Sequence, residues 1–433
     1  MDWLLRRTRF AWYLYDWANS AFVTTVVTVF FGPYLTLIAS RAADSQGNIS
    51  IFGVGIYSES LFSYVVSFSV LLQVLFLPLI GTVADITNQK KRFLYLFAYL
   101  GSFFTVLLFF LYERTLYLGI TAFILANLFF GASVVMYNSL LVEIAEVDER
   151  DKVSLIGWAF GYIGGGILLA INLVTIYLYQ YLNQSYEEAI RMSLASAGIW
   201  WLVFSIISQT NLILPIKGKA VSLRFPFRNS ISGLIKTFKE VLKNKNALLF
   251  FVAYLFYNDG VQTIIVISSQ FGRRELNLSM DFLVVTLLLV QFLSFFGTLI
   301  IMKIDNYLQS KKTLLFCLLV WTFTVVFAFL FLKDSTGFIV LAVLISLVLG
   351  GTQAISRSIF STFIPKEKEA EYFSFYEITE KGSSWIGPLF FGLILQLSKS
   401  YRIAILSLIL FFLLGIFLLL KIKIKEIDAG VSR

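Results

Sequence analysis

Residues 10–38 read FAWYLYDWANSAFVTTVVTVFFGPYLTLI, an apolar run that contains one carboxylate, Asp16. A helix of this length, rising 1.5 Å per residue, crosses the roughly 30 Å hydrocarbon core of a bilayer. A charged side chain inside a membrane helix costs about 2.5–3.5 kcal/mol on insertion scales, so such residues usually face a protein interior or a wet cavity and serve a function. The run therefore predicts a membrane helix whose Asp16 faces the inside of a helix bundle.

The composition of the whole chain is that of a polytopic membrane protein. Of its 433 residues, 58% are hydrophobic and only 14% are charged, and the mean hydropathy is +0.82. Apolar runs of about 20 residues recur along the chain, which predicts an all-α membrane protein with twelve spans. The predicted spans 1 to 12 are Phe10–Ile38, Leu61–Ala84, Phe93–Leu111, Tyr117–Leu141, Ser154–Leu182, Met192–Leu214, Ala247–Phe271, Phe282–Met302, Thr313–Leu332, Gly337–Phe363, Phe373–Leu397 and Ile403–Leu420.

Composition also excludes several classes of function. The net charge of +9 comes from basic residues placed between apolar runs rather than on one soluble face, so we expect no nucleic-acid partner. A single cysteine, Cys317, allows no disulfide framework, and the chain has no histidine, the commonest metal ligand and proton carrier. We find no P-loop, no metal-ligand cluster and no nucleophile with a base, so we expect no cofactor, no metal and no enzymatic activity. Any proton chemistry must use Asp or Glu.

Lysines and arginines indicate how the chain crosses the membrane. With the N-terminus in the cytoplasm, 25 of the 35 basic residues fall in inner loops and tails and 8 in outer loops, with Arg357 and Lys381 inside spans. This bias predicts that both termini are cytoplasmic. The arginines before span 1 act as a topological anchor, because the apolar run is too long for a signal peptide. A basic segment, 215–246, splits the chain into halves 1–214 and 247–433 and is expected to be a linker on the cytoplasmic leaflet.

The two halves echo one another. In the first half, Gly81 and Asp85 are followed by Lys90 and Arg92, and in the second half Asp305 is followed by Lys311 and Lys312. Asp16 and Asn19 of span 1 have loose counterparts in Asp259 and Gln262 of span 7, and Tyr137 and Asn138 of span 4 correspond to the region of Arg357 in span 10. Two repeats joined by a cytoplasmic linker are the plan of an alternating-access transporter.

These motifs resemble those of the major facilitator superfamily. The loop motif Gly81-x-x-Ala84-Asp85 followed by Lys90-Lys91-Arg92 carries this likeness. Within the superfamily the chain is similar to the vacuolar amino-acid effluxer-like permeases, and the resemblance covers essentially all twelve spans. Three stretches carry the closer match: Tyr15–Phe22, Gly157–Gly165 and Gly351–Ser358, the last of which includes Gln353. The resemblance implies the major facilitator fold, made of two pseudo-symmetric six-helix halves.

The resemblance also implies a gate at the cytoplasmic mouth. Gly81, Asp85, Lys90, Arg92 and Asp305 are its candidate residues, with Asp85 meeting the positive end of span 11. The sequence departs from the usual motif, because Ile86 and Asn88 stand where a basic residue and a glycine are common. Lys90 or Arg92 is then expected to supply the gating charge. The alternative is an exposed Asp85 with no gating role.

The candidate substrate or proton pathway consists of polar residues on spans 1, 4, 7, 10 and 11. Asp16 and Arg357 lie at similar depths and are expected to share one layer; they form either a structural ion pair or a site for substrate or protons. Lys381 either binds a substrate carboxylate or is neutralised by neighbouring glutamates. The full set is Asp16, Asn19, Tyr137, Asn138, Asp259, Gln262, Gln353, Arg357 and Lys381. The glycines of span 5 are expected to serve close helix packing.

The predicted function is alternating-access transport of a small polar solute. The resemblance implies amino acids or related compounds and favours export, and carboxylates would carry any coupled proton. The alternative is a membrane nutrient sensor or lipid-moving protein on the same fold that does not transport. We expect a monomer in a bacterial cytoplasmic (inner) membrane, with the small-molecule substrate, the lipid bilayer and protons as its partners.

Overall fold

The fold is an all-helical membrane bundle. The computed structural model describes residues 2–51, 53–87, 89–145, 150–182, 184–213, 245–361 and 385–422. Within these residues, eleven helices are long and apolar enough to cross a membrane, and a shorter apolar helix, Ile386–Ser398, lies in the predicted span 11. The prediction of a twelve-span, all-α fold is confirmed.

Apart from span 11, whose predicted first part, 373–384, lies outside the described residues, each predicted span corresponds to one or more helices with nearby bounds. Spans 2 to 6 contain the helices Leu61–Thr87, Lys90–Val106, Leu116–Ile144, Arg150–Tyr181 and Tyr186–Asn211. Spans 7 to 10 contain Lys245–Glu275, Met280–Leu308, Ser310–Leu330 and Ser335–Ser361. Span 12 is divided at Leu408 into Tyr401–Ser407 and Ile409–Lys421. Short 3₁₀ turns, Ser58–Ser60, Leu107–Phe110 and Glu113–Thr115, flank spans 2, 3 and 4.

Span 1 is a composite helix. An α-helix, Asp2–Ala21, passes into a π-helical segment, Phe22–Phe30, and returns to an α-helix, Phe31–Arg41. Every residue from 23 to 29 is Val or Thr, and β-branched side chains crowd the preceding turn of an α-helix. Thr24 Oγ1 also donates to the Ser20 carbonyl at 3.0 Å, a bond that competes with the regular helical ladder. The span that carries Asp16 is therefore widened just beyond it, at about mid-length.

A β-hairpin connects spans 1 and 2 and was not predicted from the sequence. Strands β1 (Asn48–Ile51) and β2 (Val54–Tyr57) pair antiparallel, with Asn48 opposite Tyr57. Tyr117 Oη, at the start of span 4, donates to the Ser50 carbonyl at 2.7 Å, and Lys399 Nζ lies 3.4 Å from the Tyr57 ring centroid. We call the bundle end that carries this hairpin and the loops after spans 1, 3, 5, 7, 9 and 11 the odd-loop face, and the opposite end the terminal face.

Close helix packing is built on glycine, as the sequence predicted. A methyl group at Gly164 of span 5 would lie 2.5 Å from the Trp17 carbonyl of span 1, and one at Gly351 of span 10 would lie 2.5 Å from Ile301 of span 8. Spans 1 and 5 pack along much of their length, as do spans 8 and 10. Between the halves, span 2 contacts the described part of span 11, span 5 contacts span 8, and span 1 contacts span 7.

The predicted linker, 215–246, lies outside the described residues except for its last two. Lys245 and Asn246 begin the helix of span 7. The division of the chain into 1–214, 215–246 and 247–433 stays a prediction.

Candidate functional site

Asp16 lies half-buried in the first helix of span 1 and faces span 5. The residue opposite is Gly161, where a methyl group would lie 3.3 Å from the Asp16 carboxyl carbon and 2.6 Å from Ser20 Oγ. Real Cβ atoms seldom approach other atoms so closely, so glycine at position 161 leaves room for the carboxylate. Glycine at position 161 thus lets spans 1 and 5 pack closely around Asp16.

Aromatic rings from spans 1 and 4 surround the carboxylate. Trp12 stacks on Tyr137 with ring centroids 4.1 Å apart and donates from Nε1 to the Tyr137 carbonyl at 2.9 Å. Tyr15 lies 5.4 Å from Tyr137 by ring centroid. The Tyr137 hydroxyl is a close neighbour of Asp16, yet among the described residues it and the Tyr15 hydroxyl are buried without a hydrogen-bond partner. Two phenol groups near Asp16 are therefore in position to donate a hydrogen bond to it or to a bound group.

No described Lys or Arg side chain forms an ion pair with Asp16. The backbone of Arg357 belongs to the helix of span 10, but its side chain is outside the described part of the structure. The predicted Asp16–Arg357 layer accordingly stays a prediction. Asn19 is buried one turn beyond Asp16, at 3% exposure, and Asn138, next to Tyr137, is half-buried.

Asp259, the second intramembrane carboxylate, binds the backbone of span 11. It is 1% exposed, and its Oδ2 accepts a hydrogen bond from the Gly387 N–H at 2.6 Å. Gly387 is in the first turn of the helix Ile386–Ser398, where free N–H groups and the helix dipole favour a negative charge. Asp259 Oδ1 is buried and has no partner among the described residues. Asp259 is thus a capping residue for this helix.

The remaining predicted residues of the second half are only partly placed. Gln262 of span 7 and Gln353 of span 10 are half-buried, and Lys381 lies outside the described residues. Spans 7 and 10 are joined by the Tyr257 and Ser356 hydroxyls, 2.7 Å apart. The structure therefore brings spans 7 and 10 together, and the predicted roles of Arg357 and Lys381 stay predictions because their side chains lie outside the described residues.

A polar clasp joins the two halves at the odd-loop face. It consists of Glu59 at the start of span 2, Gln270 and Arg274 in span 7, and Tyr401 in span 12. Arg274 forms an ion pair with Glu59, with Nε 2.8 Å from Oε2. Tyr401 Oη donates to the same Oε2 at 2.7 Å, and Gln270 Nε2 donates to Tyr401 Oη at 2.9 Å. Gln270 also donates to the Glu59 carbonyl at 2.9 Å, so all three clasp residues of the second half contact Glu59 of the first.

Several hydrogen bonds join a described side chain of one six-helix half to a described residue of the other. All of them lie in the part of the bundle nearer the odd-loop face. Besides the clasp, Tyr64 Oη donates to Gln396 Oε1 at 2.8 Å, Ser67 Oγ to the Trp385 carbonyl at 2.8 Å, and Ser269 Oγ to the Val29 carbonyl at 2.7 Å. Gln270 Nε2 also donates to Thr36 Oγ1 and Arg274 Nη2 to Ser40 Oγ, each at 2.8 Å. These contacts between the halves were not predicted from the sequence. The signal in the sequence was faint: Gln270 and Arg274 stand four residues apart near the end of span 7, as do Thr36 and Ser40 near the end of span 1.

Comparison with known proteins agrees with this architecture. The family described as "Vacuole effluxer Atg22 like" matches residues 5–146 and 142–427. The chain belongs to the Atg22-like family. A Bacillus subtilis relative, described as the uncharacterized MFS-type transporter YxiO, is 29% identical over 427 residues, covering 98% of this chain and 96% of the relative. Autophagy-related protein 22 of Vanderwaltozyma polyspora is 27% identical, covering 95% of this chain and 89% of that protein.

Two solved transporter structures have the same fold as this chain. The nucleoside transporter NupG matches with a TM-score of 0.64 and 13% identity, covering 96% of this chain and 98% of that one. A D-xylose-proton symporter matches with a TM-score of 0.65 and 12% identity, covering 96% and 95%. The major facilitator fold with two six-helix halves is therefore confirmed.

The predicted gate residues of this Atg22-like chain lie at the terminal face. Gly81 and Asp85 are in the last turns of the span 2 helix, which continues to Thr87. This part of the predicted loop is therefore helical. The side chains of both residues are outside the described part of the structure. Lys90 forms an ion pair with Glu143 of span 4 at 3.5 Å, whereas Arg92 is exposed. Asp305 Oδ2 accepts from Ser310 Oγ at 3.4 Å. The gating role of this set stays a prediction.

Proposed function

We propose that this chain is a secondary active transporter that exports a small polar solute of the amino-acid class by alternating access. The observation that carries the proposal is Asp16, an intramembrane carboxylate set among aromatic rings with no ion-pair partner among the described residues. Family membership and fold support transport; they do not select the solute. The amine of an amino acid would supply a positive charge opposite Asp16.

Recognition of the amine would use groups already in place. Asp16 gives the charge, the Tyr137 hydroxyl gives an unused hydrogen-bonding group, and the Trp12 and Tyr137 rings give faces on which a cation is attracted. In a water-poor site such a charge-assisted contact contributes about 1.5–3 kcal/mol. The substrate carboxylate would meet Arg357 or Lys381, the two basic residues that the sequence places inside spans.

Alternating access requires that the two faces open in turn, and the clasp supports this part of the proposal. Because the clasp joins the two halves at the odd-loop face, we assign the structure to a state closed at that face. By the positive-inside bias this face is outside, and both termini and the linker are cytoplasmic. The solute would enter from the terminal face and leave after the clasp opens.

Proton coupling, if the cycle uses it, would pass through carboxylates. The chain has no histidine, so Asp16 and Asp259 are the intramembrane groups available to bind a proton in the described spans. Each half contributes one of them, at corresponding positions of spans 1 and 7. The protein would work as a monomer in the cytoplasmic membrane, since each chain contains both halves of the pathway.

Counterflow in proteoliposomes tests the proposal. Vesicles containing the purified protein are loaded with one unlabelled amino acid at a time and diluted into the labelled form. We expect transient uptake above that of protein-free vesicles for at least one amino acid, and no uptake of labelled xylose or a nucleoside. Uptake of none of the amino acids, with folded protein in the vesicles, would contradict the amino-acid assignment. Uptake of xylose or the nucleoside instead would reassign the substrate class and keep transport.

A further inference from the structure

A cavity of about 440 Å³ lies between the halves at the odd-loop face, separate from the Asp16 site. This volume is within the roughly 300–1,000 Å³ range of small-molecule sites. Spans 1 and 6 supply its first-half wall, with Tyr34, Arg41, Tyr186 and Glu187, and the end of span 7 supplies Arg273 and Arg274. We call it the arginine cavity.

Three guanidinium groups and one carboxylate line the arginine cavity. Arg41 is held by Glu187 at 2.7 Å and by Glu113 at 3.7 Å, and Arg274 belongs to the clasp with Glu59. Arg273 differs, because it forms no ion pair with any described carboxylate. Its Nη1 donates to the Leu278 carbonyl at 2.9 Å, which fixes the side chain and leaves most of its five N–H donors unused.

A fourth arginine adds positive charge behind the cavity wall. Arg191 is 8% exposed and donates from Nη1 to the hydroxyl of Tyr34, a cavity residue, at 3.0 Å. Its guanidinium lies 4.1 Å from the Tyr112 ring centroid, its Nε is buried without a partner, and it pairs with no described carboxylate. Asp281 and Arg273 are both electrostatic neighbours of Tyr186, a cavity residue, but the two do not form an ion pair with each other. A buried cation without a counter-charge is costly and favours a nearby anion.

We propose that the arginine cavity binds an oxyanion, a phosphate or carboxylate group, with Arg273 as its main ligand. Guanidinium groups bind such planar or tetrahedral oxyanions through paired N–H donors, as Arg273 is placed to do. Because Arg41 belongs to one half and Arg273 to the other, a bound oxyanion bridges the halves and stabilises the closed odd-loop face. This inference does not rest on the proposed transport, since binding at the odd-loop face is separate from the Asp16 site.

The oxyanion has two possible sources, a free solute and a lipid headgroup. The experiment measures the thermal unfolding of the purified protein in two arms. The first arm adds inorganic phosphate to protein in neutral detergent, at constant ionic strength. The second compares nanodiscs of phosphatidylcholine with nanodiscs containing phosphatidylglycerol. Stabilisation in the first arm indicates a free oxyanion, and stabilisation in the second arm alone indicates a lipid headgroup.

Arg273→Gln is the main variant, and Lys333→Gln, exposed on the same face, is its charge-matched control. We expect Arg273→Gln to weaken the stabilisation about tenfold in apparent affinity and Lys333→Gln to leave it unchanged. If Arg273→Gln fails to fold, Ser185→Asp replaces it as the test variant. Ser185 lines the cavity and stands at the N-cap of the span 6 helix, where Asp is well tolerated, so the variant adds a competing negative charge without removing a contact. It should weaken stabilisation as well.

If the wild-type protein is stabilised in neither arm, the proposal is overturned. It is also overturned by equal stabilisation of the wild type and a folded Arg273→Gln or Ser185→Asp variant.

Discussion

Arg274 of span 7 forms an ion pair with Glu59 at the start of span 2, so a charge from each half closes the odd-loop face. The Glu59 and Arg274 side chains are only 13% and 26% exposed, and Tyr401 completes the contact by donating to the same carboxylate. A contact of this kind is made in one conformation of a transporter and broken in the other. It is the structural basis for the first prediction.

Removing the charge of Glu59 should favour opening of the odd-loop face. Glu59→Gln keeps the shape of the side chain but breaks the ion pair, and a shift of about 1.4 kcal/mol already changes the ratio of two conformers tenfold. Spin labels at positions 46 and 333, in loops of different halves, should report a larger population of long distances. The only cysteine, Cys317, is buried and is replaced by Ala for this measurement. Glu188→Gln, on the same face, is the control; a distance distribution identical to the control would contradict the clasp.

Asp259 should stabilise span 11 through its contact with Gly387. Asp259→Ala removes the acceptor of the Gly387 N–H and is expected to cost about 1–2 kcal/mol, the usual size of a lost helix cap. Asp259→Asn keeps an oxygen acceptor and should unfold closer to the wild-type temperature. The check is thermal unfolding of the three proteins in the same detergent. If the Ala and Asn variants unfold alike and like the wild type, the capping role is wrong.

Two glycines of span 5 offer a matched comparison. A methyl group at Gly161 would press on Ser20 and the Asp16 carboxyl group, whereas at Gly166 it would meet nothing within 4 Å. Gly161→Ala should therefore cost about 1–3 kcal/mol through overpacking and reduce counterflow, because it displaces Asp16. Gly166→Ala should leave both unchanged or raise stability slightly, since Ala is the better helix former. Equal effects of the two substitutions on stability and flux would show that Gly161 has no special role.

The helical spans could be predicted well from the sequence because each span must by itself be long enough and apolar enough to cross the bilayer. A run such as residues 10–38 has the length and the apolar character of a span whatever its neighbours are. The glycine contacts of span 5 were predictable for a similar reason, since small residues inside an apolar run mark helix contacts. The carboxylates Asp16 and Asp259 were singled out because a charge inside such a run is costly.

The features that sequence analysis missed depend on partners far apart in the chain. Glu59 and Arg274 are separated by 215 positions, and neither residue alone differs from an ordinary loop charge. The hairpin of β1 and β2 has four-residue strands, too short for a clear alternating pattern. Asp259 was placed in the pathway, yet its contact with the Gly387 backbone depends on how spans 7 and 11 pack, which residue identities do not show.

The central claim is that Asp16 binds the amine of the transported solute, and counterflow by Asp16→Asn tests it most directly. The comparison is made in proteoliposomes with equal amounts of wild type, Asp16→Asn and a control, Asp44→Asn. Asp44 is exposed at the hairpin, where its Oδ1 accepts from two backbone N–H groups as an Asn oxygen also does. We predict that Asp16→Asn folds, with an unchanged elution profile, and loses counterflow by about tenfold or more, while Asp44→Asn transports like the wild type. Wild-type counterflow by Asp16→Asn, with unchanged dependence on pH, would contradict the claim and reduce Asp16 to a packing residue.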